Sequence, residues 1–300
     1  GSIYHRKLQE VGEAWRKVRG PEARFTVYTD SSQGTEADTV RRMRIGQLDG
    51  SMVTVVGLSE IDPAVTALQF MPMMFRNWEE LDYVREQLRP ELEARLAAKG
   101  FVVLMWSEGG WVRYFSREPL SQPEEFKQSR IFAWSGDNIQ VDVMKSLGYR
   151  PVPLPLSDIL PALETGMIDT VPVAPLWALV GQFDRVTRYM LPVNWVPIVG
   201  AVVFRRQTWE ALSAESRAAI TAASERAGKE LRAHRAVQDA ESIQAMQQRG
   251  LTVLPFTPEV EQAWLAVAQQ AWPQIRGRLV PAQTFDRVQS LLSDYRGQPR

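Results

Sequence analysis

The chain has 300 residues, 45% hydrophobic and 23% charged, with 35 basic residues balanced by 35 acidic ones. That neutrality argues against nucleic acid as a partner. The absence of cysteine excludes disulfides, thiol catalysis and cysteine-ligated metals. The two histidines, His5 and His234, are too far apart in sequence to found a histidine-rich metal site. No apolar run approaches the roughly 20 residues of a membrane span. Gly1-Ser2 opens the sequence without a signal peptide, as expected of a mature or trimmed form. The length suffices for two lobes, each with its own core.

Leu8, Val11, Gly12 and Trp15 line one face of a predicted helix over His5 to Val18, stopped by Gly20-Pro21. Arg24 to Thr29 alternates as a strand does, Asp30-Ser31-Ser32 leads into a helix ending before Gly46, and Ser51 to Val56 reads as a buried strand. Met71, Met73, Met74 and Phe75 form an apolar cluster of the kind that fills irregular core gaps. Asn77 caps a helix running to Lys99 with a break expected at Pro90. Phe101 to Trp106 follows as a strand. Gly109-Gly110 predicts a turn, and Trp111 to Ser116 a strand crossing between lobes.

The stretch from Phe126 to Pro175 alternates strand and helix: strands at Arg130 to Trp134, Val152 to Leu154 and Met167 to Val173, with helices between. This pattern predicts a parallel sheet with helices on its faces, in which ligands sit at the carboxyl ends of the strands. Val199 to Arg205 returns to the first lobe. Thr208 to Arg249 is the longest helical pattern, broken near Ser213, and two helices, Pro258 to Ile275 and Pro281 to Tyr295, close the chain. Glycine stands just past a helix at Gly46, Gly100, Gly148, Gly166 and Gly250, where a left-handed backbone is needed. Gly46-Gln47-Leu48-Asp49 and Gly166-Met167-Ile168-Asp169 echo each other across the two lobes. The expected division is residues 1–110 with 200–250 against 111–199 with 251–300, with hinge strands near 106–116 and 198–205.

Catalytic motifs are missing. There is no Gly-x-Ser-x-Gly elbow and no phosphate-binding glycine loop, so the chain is not expected to be an enzyme, and no cofactor or metal is called for. Ten tryptophans are the unusual abundance. Trp106, Trp111, Trp134, Trp177 and Trp195 fall at strand ends or loops, where an aromatic wall facing an interlobe cleft is expected.

Several segments together resemble the substrate-binding proteins of TRAP (tripartite ATP-independent periplasmic) transporters, over nearly the whole chain. They are Gly46 to Asp49; Phe70-Met71-Pro72-Met73-Met74-Phe75; Glu124-Glu125-Phe126-Lys127; Leu147-Gly148-Tyr149-Arg150-Pro151; Ala162-Leu163-Glu164-Thr165-Gly166-Met167-Ile168-Asp169; and Trp209-Glu210-Ala211-Leu212. The resemblance implies a two-lobed α/β fold of the periplasmic binding protein type (type II) with hinge-crossing strands and a long helix. It also implies a periplasmic address and delivery of a small molecule to integral-membrane transporter subunits, and a monomer is expected. The sequence departs from the family in three places. Arg130-Ile131-Phe132 stands where the family has Lys-Ile-Arg, so Phe132 replaces the arginine that clamps the ligand's carboxylate. Thr170 replaces glycine after Ile168-Asp169. The chain begins at the first helix rather than the strand before it, which suggests trimming or an altered first lobe.

The candidate ligand-binding set is Thr54, Trp106, Trp111, Arg113, Phe132, Trp134, Asp137, Ala174, Trp177 and Trp195. With the clamping arginine replaced, the expected ligand is largely apolar or aromatic, extending to lipid-like. Two alternatives stand beside it: an organic-acid receptor using Arg113, and an accessory protein that has lost ligand binding. Arg41, Arg42 and Arg44 are noted as a docking face or, more simply, a solvated helix face.

Overall fold

A computed structural model describes residues 2–29, 32–135 and 137–297. The sequence-predicted loop residues Asp30, Ser31 and Gly136 lie outside the described residues. In chain order the elements are α1 (Ile3–Arg19), α2 (Glu36–Arg44), β1 (Gly50–Thr54), α3 (Val55–Ser59), α4 (Trp78–Ala98), β2 (Phe101–Trp111), β3 (Arg113–Ser116), α5 (Pro123–Phe126), β4 (Arg130–Trp134) and α6 (Asn138–Ser146). They continue as β5 (Arg150–Leu154), α7 (Ile159–Glu164), β6 (Thr170–Val173), α8 (Pro175–Val180), β7 (Tyr189–Leu191), β8 (Pro197–Arg205), α9 (Arg206–Ala211), α10 (Ala214–Gln247), β9 (Thr252–Val253), α11 (Pro258–Ile275) and α12 (Ala282–Gly297).

The chain divides into two units. Unit 1 contains Gly1–Thr66, Arg85–Glu108 and Val199–Arg235; unit 2 contains Ala67–Val84, Gly109–Ile198 and Ala236–Arg300. The chain therefore passes from one unit to the other between Thr66 and Ala67, within α4, within β2, near the start of β8 and within α10. This division differs from the expected one, because residues 67–84 and 236–250 belong to unit 2.

Unit 1 is built on a three-stranded sheet of order β1-β8-β2, with β1 and β8 antiparallel and Gly50 opposite Phe204. Met105, Val202, Ala227 and Leu231 pack with Tyr4, Leu8 and Met52, and Val11 packs with Ile220, Ala223 and Trp15. Local chemistry sets the helix starts. Thr35 caps α2 by accepting from the Asp38 amide at 3.2 Å, while the Asp38 carboxylate accepts from the Thr35 amide at 3.1 Å, a reciprocal capping box. At Glu108 a carboxylate with no exposed surface lies between the guanidinium groups of Arg85 and Arg235, the pairing a buried charge requires.

Unit 2 carries a six-stranded sheet of order β5-β4-β6-β3-β7-β9. The parallel arrangement expected for the Phe126 to Pro175 stretch is present, and the strand that departs from it, β3, comes from outside that stretch. β4 runs parallel to β5 and β6, and β7 parallel to β9, but β3 runs antiparallel to both of its neighbours.

Three local expectations also change. The strand expected over Arg24 to Thr29 is not part of either sheet. Helix α4 continues through Pro90. Gly109-Gly110 makes no turn; β2 runs through both glycines, with Gly110 at φ +104°, a backbone state open to a residue without a side chain. The break near Ser213 is present between α9 and α10, and the five junction glycines all have positive φ.

The core of unit 2 joins Phe115, Phe132, Leu163, Ile168, Val171 and Met190 on one cluster, and Tyr114, Phe126, Ile131 and Trp264 on another. Consecutive residues Tyr114 and Phe115, and Ile131 and Phe132, go to different clusters, as strand alternation dictates. Phe132, 1% exposed, is thus a core residue and not the ligand-lining residue expected. Truncating it leaves a cavity in a close-packed interior. Phe132→Ala is expected to cost about 3–5 kcal/mol in urea unfolding. A loss below about 1 kcal/mol would mean that Phe132 does not carry this packing.

Candidate functional site

The antiparallel course of β3 brings a charged side chain to the carboxyl end of the parallel strands. In the β3–β6 register Arg113 stands opposite Val173, and Ser116 opposite Thr170. Arg113, the first residue of β3, therefore lies beside the last residue of β6, where α8 begins with Ala174 at its N-cap. One Nη1 hydrogen bond goes to the Pro192 carbonyl, while the Nε–H is shielded from solvent and has no partner. Burial lowers the Arg113 pKa, and the negative charge of Asp239 opposes that shift.

Asp239, from α10, was not among the residues expected from sequence. It is 6% exposed. Its Oδ2 accepts a long hydrogen bond, 3.3 Å, from the Trp111 amide, and its Oδ1 has no partner. Burial pushes its pKa up to about 6, against the pull of the Trp111 N–H and of Arg113. Gly110 makes the approach possible: a Cβ there would fall 2.6 Å from Asp239 Oδ1 and 3.1 Å from the Ala174 methyl. Trp111, Arg113, Ala174 and Asp239 are thus brought together in unit 2.

The other predicted residues divide by what they touch. Trp134 at the end of β4 is 41% exposed and Trp177 in α8 is 38% exposed, so each presents an open indole at the carboxyl end of a parallel strand. Trp134 packs edge-on against Phe132 at 5.2 Å. Trp111 lies 4.9 Å from Trp78. Trp195 sits between Tyr114 and Trp264, edge-on to both, and its carbonyl accepts from the Met73 amide, which marks it as a packing residue. Asp137 caps α6 through the Gln140 amide at 3.0 Å; burial raises its pKa and that hydrogen bond partly offsets the shift.

In unit 1, Thr54 donates its hydroxyl to Glu36 at 2.8 Å and caps α3. Trp106 spends its indole N–H on Glu93 at 3.0 Å. Arg41 is ion-paired with Asp38, and Arg44 donates to the Glu60 carbonyl. Arg130 cannot stand in for the replaced arginine, because it lies at the opposite, amino end of β4 and is bound bidentately to Asp169, both contacts 2.8 Å. Thr170, the other departure, is fully buried and shares a 2.7 Å hydroxyl contact with Ser129. Among the described residues no group of three or more acidic or histidine side chains is placed to hold a metal, and no helix is long and apolar enough to cross a membrane. A hollow of about 490 Å³ lined by Leu179, Val180, Gln182, Arg185 and Arg249 contains none of the predicted site residues.

The family model described as bacterial extracellular solute-binding protein, family 7, matches residues 1–277. The 2,3-diketo-L-gulonate-binding periplasmic protein YiaO of Escherichia coli (strain K12) is 24% identical over 78% of this chain and 71% of its own length. The C4-dicarboxylate-binding periplasmic protein DctP of Rhodobacter capsulatus is 23% identical over 96% of this chain and 86% of its own. Among solved structures, a TRAP periplasmic solute-binding protein from Desulfovibrio desulfuricans with bound sn-glycerol-3-phosphate superposes with TM-score 0.88 at 16% identity, covering 100% of this chain and 95% of that one.

Asp239 gives the site a pH signature. An acid whose folded-state pKa lies above its unfolded value contributes stability while protonated and loses it as pH rises through the folded value. From the ordinary 3.8 to about 6, the wild type should therefore lose stability relative to Asp239→Asn, by on the order of 2–3 kcal/mol. Paired thermal-unfolding series from pH 3.5 to 7 (a span of about this window) check it; parallel curves would refute the assignment.

Proposed function

Since the chain belongs to bacterial extracellular solute-binding protein family 7, the substrate-binding receptors of TRAP transporters, we propose that it is a periplasmic receptor whose cargo is a small organic acid held by Arg113. The observation that carries the reading is the shielded, unpartnered Nε–H of Arg113 at the carboxyl end of β6. A guanidinium presents its donors in a planar fork that fits a carboxylate, and a buried donor without a partner is costly unless a ligand completes it. The named relatives support the class: their cargoes are a keto sugar acid and C4-dicarboxylates, and the Desulfovibrio neighbour holds a phosphate ester.

A largely apolar or aromatic cargo is the second reading, favoured by the exposed indoles of Trp134 and Trp177. It loses the support of Phe132, which packs in the core. The two readings combine in an acid with an apolar or aromatic body, whose carboxylate goes to Arg113 and whose body lies on the indoles. Release of that cargo goes to the membrane subunits of the transporter, and the receptor acts as a monomer.

A thermal-shift panel of sugar acids, dicarboxylates, 2-hydroxy acids, aromatic acids and neutral aromatic compounds, followed by calorimetry on the best binders, tests this. Arg113→Gln should weaken the best acid by roughly tenfold to a hundredfold, the effect of losing a charge-assisted hydrogen bond. Stabilisation by neutral aromatics alone, unaffected by Arg113→Gln, would replace the acid reading with the apolar one.

A further inference from the structure

Arg113 and Asp239 carry opposite charges, attract each other electrostatically, and are not joined by an ion pair among the described contacts. Each keeps one buried polar atom without a partner, Nε on the arginine and Oδ1 on the aspartate. Burying a carboxylate with a single long hydrogen bond is unfavourable, and an apolar residue would fill this helix position at lower cost. The position is also specifically accommodated, because Asp239 Oδ1 approaches Gly110 more closely than a side chain there would allow. Oδ1 lies close against Gly110 on the side of Ala174, and Oδ2 accepts from the Trp111 amide. Both unpartnered atoms therefore belong to the carboxyl end of β6.

We propose that Asp239 contacts the ligand and selects, together with Arg113, acids that carry a hydrogen-bond donor, a hydroxyl or an ammonium, close to the carboxylate. The acid supplies the acceptor that Arg113 lacks, and the neighbouring donor supplies what Asp239 Oδ1 lacks. A simple acid leaves Oδ1 unsatisfied. A dicarboxylate of the same length sets a second negative charge against Asp239 and is rejected, which is specificity by an unfavourable alternative. The proposal rests on the reading of Arg113 as the carboxylate site.

Calorimetry on matched sets tests it: 3-phenylpropanoate, its 2-hydroxy and 2-amino derivatives, and benzylmalonate, with propanoate, lactate, alanine and methylmalonate as the smaller set. The wild type should prefer the 2-hydroxy or 2-amino acid over its unsubstituted parent by about tenfold or more, the discrimination expected of a site whose polar group is otherwise left unpaired. Asp239→Ala should reduce that preference to less than about threefold, while Asp239→Asn tightens the dicarboxylate. A preference unchanged in Asp239→Ala, or a wild-type preference below about twofold, overturns the proposal; the second criterion needs no variant to fold. Failure of the underlying reading is distinct. If the folded wild type binds no acid of either set, or Arg113→Gln weakens none, Arg113 is not the carboxylate site and the role of Asp239 falls with it.

Discussion

The reversed direction of β3 is the constraint on which the chemistry of unit 2 depends. If β3 ran with its neighbours, Arg113 would stand at the amino ends of β4 and β6, where Arg130 and Asp169 already satisfy each other. Running antiparallel, it opens at the other end, opposite Val173. The same reversal continues the path of β2 without a crossover, and Gly110 lets the strand pass Asp239 instead of turning away from it. One connection thus fixes the position of an arginine, the approach of an aspartate and the start of α8.

The electrostatics of that end contrast with two other buried carboxylates. Glu80 takes both Arg296 and the Arg76 amide, and Glu108 lies between two arginines. Burial opposes ionisation of Glu80, yet those partners outweigh it and hold its pKa below the usual value. At Asp239 the balance goes the other way, and burial wins. Unpartnered buried polar atoms occur at other places too, Asp184 and Arg117 among them; at this end two of opposite charge, on Arg113 and Asp239, fall together at the carboxyl end of β6, a pattern expected where structure has been fitted to a ligand.

Much of the architecture was legible because it rests on local chemistry. Glycines after helices, the break before Ala214 and the alternating strands of the central stretch are each set by residues within a few positions. Strand direction was not legible, since Arg113-Tyr114-Phe115-Ser116 reads the same whichever way it enters a sheet. Nor was the burial of Phe132: alternation says that Ile131 and Phe132 face opposite sides, but not which side is core, and here both are. Asp239 was hidden by its setting in a helix rich in Ala, Glu, Gln and Arg, which resembles a solvated face. Its spacing to Ser242 and Met246 places it on a buried stripe, and a lone carboxylate on such a stripe was the available signal.

The departures from the family pattern in β4 and β6 follow one logic. Phe132 stands where the family carries its clamping arginine and fills the apolar cluster under the sheet. Thr170, where the family has glycine, adds a hydroxyl that Ser129 satisfies inside the same layer. Both changes replace openness or charge with packing, making this part of the sheet more like ordinary core. An arginine at Phe132 would now have to be buried without a partner of its own. On the reading proposed for this site, the capacity to hold an anion passes to β3, through Arg113, with Asp239 limiting its charge. A site of that kind carries nearly balanced charge where a clamp of two arginines would be strongly positive, and it discriminates by the arrangement of donors and acceptors more than by total charge.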